Sequence, residues 1–471
     1  MKVLLIYPYA SFKVMPPSAW MPLSLSYLAA PLLRAGHEVK IFDRYAAQFR
    51  AGQDKSAVDR AMLKALSEFR PDVVAFNTVS PLVFDLVECA ALVRHVFNGP
   101  ILAGGHHVTA LPQATLNKIP QLDAVICGEG EYSLLHYIEG QNHHDIPGLW
   151  FRENGSIIGS PPVQIPALDQ LPFPDFSLMD LGYYLNRSLD TIRHRYVSTI
   201  SLLTSRGCVK KCEFCSESLT YGKGVRFHSP EYVAELVYRV YKDYGIEGIY
   251  FHDNDFLINR ARTEKICDLM MKRGLHKQII WGIQARAEHI ELALVKRLKQ
   301  AGCVLIEIGI ESSSQAVLDA MHKDSTVEVN QRAIKVCQEG GMGIHSYMLT
   351  GVEGETQADL EQRLEWLKKV RPNSFSWSQL EIHPGTRLYE RLRRGVFETM
   401  PWTRDAVRDY YYQQNLSAIT AEDRAVWMRK HYEPYQRLIR RYNTIRTNRP
   451  RRLWSFFAMK AKEKLSRQGK K

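Results

Sequence analysis

No stretch of this 471-residue sequence reaches the run of about 18 apolar residues that a membrane-spanning helix needs. The opening MKVLLIYPYA is too brief an apolar run for a signal peptide, and Pro8 interrupts it, so the expected address is cytoplasmic. Eight cysteines in a long chain without an export signal do not read as a disulfide framework. No Gly-x-Gly-x-x-Gly follows the first apolar run, which argues against a dinucleotide site. No repeat of the solenoid kind is present. Net charge is also scarce over most of the chain. Residues 440–471 carry twelve Lys or Arg against one acid, Glu463, and everything before them is within one charge of neutral. The basic character therefore belongs to the tail and says little about the body.

At 45% hydrophobic and 24% charged residues, the composition is that of a globular protein, long enough for two or three domains. Over residues 1–140, short apolar runs (Val3–Tyr7, Glu38–Phe42, Val73–Asn77, Ile101–Ala103, Ala124–Cys127) alternate with stretches of three- and four-residue apolar spacing (Leu23–Ala35, Lys55–Phe69, Val83–Phe97). That alternation predicts a doubly wound parallel sheet of the Rossmann-like kind, with ligands bound at the carboxyl ends of its strands. The loops there offer Thr78, Ser80, Gly104, Gly105, His106, His107, Gly128 and Glu129. Six prolines over 141–195 predict a linker packed along the body. Six further strand candidates then begin at Ser198, Gly248, Ile279, Val304, Ile344 and Ser374, separated by helical stretches. They predict a partial (β/α)6 barrel over 196–390, and a helical region over 391–471 follows.

Five cysteines, at 89, 127, 267, 303 and 337, are isolated in apolar surroundings and read as small buried hydrophobes. Cys208, Cys212 and Cys215 are clustered, directly after the first strand of the second series. A four-iron cluster usually takes four thiolates; three would leave one iron open, which is a defect in an electron carrier and a requirement in an enzyme whose substrate binds that iron. Arg206, Lys210 and Lys211 would offset the charge of such a cluster. A Cys₃His zinc site with His228 is the competing arrangement. Polar groups recur at later strand ends: Asp253 and Asp255, Arg286, Glu311, the Gly351–Thr356 turn, and His383-Pro384-Gly385-Thr386. Each acid taken alone is equally a helix cap; together they favour a site.

The spacing Cys-x3-Cys-x-aromatic-Cys, with Phe214 as the aromatic, resembles the signature of the radical S-adenosylmethionine (SAM) superfamily. Gly104-Gly105-x-His107-x-Thr109-Ala110-Leu111-Pro112, Asp123-x4-Gly128-Glu129-Gly130-Glu131 and Leu171-Pro172-Phe173-Pro174-Asp175 resemble the cobalamin-binding branch of that family over roughly residues 1–390. The resemblance implies a [4Fe–4S] cluster on the three cysteines, SAM on the open iron, and cobalamin at the strand ends of residues 1–140. It also implies Phe214, Asp253, Asp255, Arg286 and Glu311 near SAM, although the common Gly-Gly-Glu motif is absent. The Asp-x-His-x-x-Gly motif by which some cobalamin proteins ligate cobalt is absent too. The expectation is cobalt without a protein imidazole, with His107 shaping its loop.

The reaction this implies is methylation of an unactivated carbon. A radical cyclisation such as tetrapyrrole ring formation is the alternative within the family, and a non-catalytic cobalamin or iron–sulfur sensor is the reading from another class. The resemblance also implies an electron donor such as flavodoxin or ferredoxin. In the tail, Leu453, Trp454, Phe457, Ala458, Ala461 and Leu465 share one helical face among lysines. That is the pattern of a peripheral helix on the anionic inner face of a membrane; a solvated tail is its competitor, and nucleic acid is disfavoured. Lipid binding would point to an isoprenoid, hopanoid-like or tetrapyrrole substrate.

Overall fold

A computed structural model describes residues 1–9, 20–52 and 54–447; the basic stretch expected to form an interfacial helix lies outside them. Met1–Tyr183, Arg206–Phe227 and Glu381–Gln414 form one compact unit. Tyr184–Ser205, His228–Leu380 and the described residues 415–447 form another.

The first unit is built on seven strands: β1 (Lys2–Tyr7), β2 (Glu38–Asp43), β3 (Val73–Asn77), β4 (Ile101–Gly104), β5 (Ala124–Ile126), β6 (Leu149–Glu153) and β7 (Ser156–Gly159). Their order is β2-β1-β3-β4-β5-β6-β7, and the first five are parallel. Val3–Ile6 are all buried, because helices cover both faces and leave the strand no polar side. Helices Leu23–Arg34, Lys55–Phe69 and Val83–Val96 fall where the apolar spacing predicts them. The order reverses between β1 and β3, which opens a crevice at the carboxyl ends of those two strands.

The 141–195 stretch is not only a linker. β6 and β7 form an antiparallel hairpin that extends the sheet beyond β5. Its tip is Asn154-Gly155, at φ 49° and 79°, the two-residue turn that this dipeptide favours. The local turn signal prevails; Pro147 precedes the hairpin and the other five prolines follow it. The segment after β4 also differs from the open loop expected: His106–Ala110 is a short helix, entered through Gly105 at φ 101°.

The second unit carries β8 (Thr199–Leu202), β9 (Gly248–Phe251), β10 (Ile280–Ala285), β11 (Cys303–Glu311), β12 (Gly343–Thr350) and β13 (Ser374–Gln379). All six are parallel and each pairs with its neighbour in sequence, the strand–helix order of a partial barrel. Trp281 is fully buried, with its ring against Phe251 and Phe256 and its Nε1 donating to Ala301 O at 2.8 Å. All five isolated cysteines are buried.

The helical region expected over 391–471 is divided. Phe397 and Trp402 pack on His107 in the first unit. Tyr435 stacks on Phe375, and Gln436 donates to the Phe375 carbonyl, in the second. Among the described residues, no helix is long and apolar enough to cross a membrane.

At Gly105 a Cβ would overlap the Thr78 carbonyl, in a φ region that other residues avoid. Gly105→Ala is expected to cost about 1–3 kcal/mol, read as a lower denaturant midpoint for the first unit.

Candidate active site

In the second unit, Asp253 follows β9 with no exposed surface. Its carboxylate accepts from Thr204 N at 3.2 Å, from Thr204 Oγ1 at 2.8 Å and from Ser205 Oγ. Arg262 donates to the carbonyls of His228 and Thr204 and to Thr204 Oγ1, locking the same turn. Burial raises the Asp253 pKa, and Arg262 opposes it. Asp253 therefore ties the end of β8 to the end of β9, and the SAM contact expected of it is not what its geometry provides. A carboxylate this deep needs its hydrogen bonds from within the fold.

Asp255, Arg286 and Glu311 behave differently, since one connected network brings them together. Asp255 Oδ1 accepts from the Arg286 and Leu257 amides at 3.3 Å, and its Oδ2 meets His289 Nδ1 at 2.6 Å. Arg286 bonds Glu288 at 2.6 Å and the carbonyls of Lys323 and Asp324 at 2.9 and 3.1 Å. Lys323 Nζ reaches Glu311 at 2.7 Å. His322 and Asp324, on either side of Lys323, both have φ near 50°, and Glu311 ends β11 at φ 62° beside a register shift. Left-handed non-glycine residues gathered at strand ends mark stored strain of the kind found at functional sites. Sequence reasoning missed Lys323 and His289. Neither belongs to a motif; the strained loop that delivers Lys323 is visible only in three dimensions.

In the first unit, Cys208, Cys212 and Cys215 are partly exposed, in contrast to the five buried thiols. Lys210 N donates to Cys208 Sγ at 3.4 Å, and the Cys215 amide bonds the Cys212 carbonyl at 3.2 Å. Burial pushes the Cys215 thiol up to about 11. Phe214 is half-buried on the same loop. Among the described residues, no three His, Cys, Asp or Glu side chains converge as a single ion requires. The thiolates of a cuboidal cluster bind separate irons, so three accessible thiols on one loop fit that group. Arg206 does not face the cysteines. It is 3% exposed, and its guanidinium is held by Glu129 and Glu131.

Thr78 and Ser80 follow β3 at the switch point between β1 and β3, and both are buried. Thr78 N donates to the Gly104 carbonyl at 2.9 Å. His107 has no exposed surface; its Nδ1 lies 3.0 Å from Ser80 Oγ, its ring meets Trp402 edge-on, and burial lowers its pKa to about 3. It shapes the loop and offers no ligand to solvent. Gly105 and Gly128 serve close packing, against Thr78 and Pro162 respectively. Glu129, expected to contact cobalamin, has both oxygens occupied within the fold: Oε1 by Arg206, Oε2 by Arg226 and the Ile165 amide. A switch point with small polar side chains beside it, and a His107 ring turned into the fold, fit a cobalamin bound without His107 as a ligand to cobalt.

A switch-point α/β unit, and a six-stranded parallel sheet whose first strand leads into three partly exposed cysteines, are the arrangement expected of a two-cofactor radical enzyme. Comparison makes the class specific. The B12-binding domain family matches residues 15–138, and the radical SAM superfamily matches residues 202–367. An uncharacterized methyltransferase of Pyrococcus horikoshii is 30% identical over 441 residues, covering 92% of each chain. An anaerobic magnesium-protoporphyrin IX monomethyl ester cyclase of Cereibacter sphaeroides is 25% identical over 84% of this chain and 64% of its own. The radical SAM methyltransferase TsrM of Kitasatospora setae, solved with cobalamin and a [4Fe–4S] cluster, superposes with TM-score 0.66 at 20% identity, covering 82% of this chain and 73% of its own. The chain belongs to the cobalamin-binding radical SAM family, and its cofactors are a [4Fe–4S] cluster, SAM and cobalamin.

The hydrogen bond to Asp255 raises the His289 pKa, with burial opposing it. A raised imidazole pKa stabilises the fold below its ordinary value, and that contribution is lost as pH rises through the raised one. His289→Gln is therefore expected to lower the thermal midpoint more at about pH 6 than at about pH 9. An equal drop in scanning fluorimetry at both would argue against the charged pair.

Proposed function

We propose that the enzyme transfers a methyl group to a carbon of a small hydrophobic biosynthetic intermediate. The observation that carries this is the set of three accessible thiols on the loop after β8, in a chain whose first unit has the strand order of a cobalamin domain. The relation to the methyltransferase of Pyrococcus horikoshii supports methyl transfer over the alternatives. When bound, the cofactors supply a hydrogen-abstracting radical and a methyl donor. Cys208, Cys212 and Cys215 hold the cluster, and Phe214 lies beside them. Arg286, Glu311 and Asp255 orient SAM, with Lys323 fixing the first two relative to each other. Thr78, Ser80 and Gly104 border the cobalamin crevice. The aromatics Phe397, Trp402, Tyr410 and Tyr411 form an apolar cluster over His107, and Tyr411 is hydrogen-bonded to His383 at 3.1 Å. A small acidic donor of the flavodoxin or ferredoxin class would reduce the cluster.

With methyl-labelled SAM and a strong reductant, anaerobically reconstituted protein is expected to release 5′-deoxyadenosine and to pass label to a product from candidate extracts. Cys212→Ala should abolish both. Release of 5′-deoxyadenosine with an unlabelled, dehydrogenated or cyclised product would favour the cyclase reading that the Cereibacter sphaeroides relative supports.

The basic tail supports peripheral membrane binding from its sequence alone. The full chain is expected to float with anionic liposomes and a chain ending at Pro450 to remain behind; equal flotation would remove the lipid-like substrates from favour.

A further inference from the structure

We propose that Glu129 is a positioning residue that clips both ends of the cysteine loop to the end of β5, and so fixes the cluster's place relative to the cobalamin crevice in the same unit. The inference rests on the reading of Cys208, Cys212 and Cys215 as cluster ligands. Arg206 precedes the three cysteines and Arg226 follows them, so the two arginines bracket the loop. Arg206 Nη1 meets Glu129 Oε1 at 2.7 Å, and Arg226 Nη1 meets Glu129 Oε2 at 2.7 Å. One carboxylate thus holds the entry and the exit of the loop, one oxygen each.

The surroundings of this clip are built to hold it. Glu131 takes the second Arg206 nitrogen, Ile165 N donates to Glu129 Oε2 at 2.8 Å, and Arg226 also bonds the Ile165 carbonyl. Tyr27 and Tyr221 lie 5.9 and 5.8 Å from the Arg206 guanidinium. Gly207, at φ 93°, turns the chain out of the clip directly before Cys208; a Cβ there would overlap the Gly224 carbonyl. The strand leading to Glu129 belongs to the five-stranded parallel set whose order opens the cobalamin crevice. Burying a charged network instead of apolar groups gains little stability, whereas its directional bonds select one geometry. Two cofactors that must act on one substrate need that geometry, and Glu129 acts through the two arginines that its oxygens hold.

Glu129→Gln keeps the shape and removes the charge; Arg226→Lys, a second variant, releases the loop's exit alone. Each is loaded with cluster and cobalamin and compared with Glu355→Gln, which breaks a buried pair with Arg363 in the second unit. Pulsed dipolar spectroscopy between the reduced cluster and cob(II)alamin is expected to give one narrow distance distribution for wild type and Glu355→Gln, and a broadened one for both clip variants. Loss of iron to a chelator should be about ten-fold faster in the clip variants, the scale of outer-shell effects on metal affinity. A loaded Glu129→Gln protein with the wild-type distribution and wild-type iron retention would overturn the proposal. A wild-type protein that takes up cobalamin but no cluster would instead overturn the reading of the cysteines.

Discussion

Two guanidiniums and two carboxylates meet in the interior of the first unit, and the rest of that unit is arranged around their mutual satisfaction. An ionised group withdrawn from water destabilises a fold by several kcal/mol unless its charge and hydrogen bonds are met. Arg206, Glu129, Glu131 and Arg226 meet one another, and the Ile165 amide completes the set. The sequence between Gly128 and Glu131 can therefore be rigid, and the cysteine loop can be displayed without a hydrophobic core of its own. The hairpin β6–β7 and the proline-rich return to Ile165 serve the same end, because that return delivers the amide to Glu129.

Carboxylates recur at strand ends throughout the molecule, and the structure separates them by what they face. Asp253 and Glu355 are enclosed and spend every oxygen on partners within the fold. Asp255 and Glu311 belong to a network held under backbone strain, with a lysine and an arginine at its edges. Both groups are acids at or just beyond strand ends. What differs is the strain of the backbone that carries them and the partners that complete their coordination, and both depend on side chains contributed from elsewhere in the chain.

This difference explains how far the sequence could be read. Strand and helix order was legible because each apolar run carries its own periodicity, so Val3–Tyr7 or Lys55–Phe69 could be placed without reference to anything distant. The cysteine loop was legible for the same reason: its spacing is local. The fate of Arg206 was not, since its partners lie some 75 residues away and only folding brings them together. The bonds of Asp253 to Thr204 and Ser205 were not legible either, because nothing in its motif distinguishes a strut from a contact. The hairpin at Asn154-Gly155 was readable in principle, and the density of prolines drew attention from it. Lys323 had no local signal at all.

The partition of the chain carries a consequence for how the protein is made. The first unit closes with Glu381–Gln414, whose Phe397 and Trp402 complete the packing around His107. The entire six-stranded sheet is encoded before that segment. A ribosome translating this chain must therefore deliver the second sheet before the first unit can be finished, and until then the opening domain waits with the apolar surface beneath those aromatics uncovered. Chaperone dependence during synthesis should follow the exposure of that surface, and a break in translation before residue 414 would leave the older half of the protein incomplete.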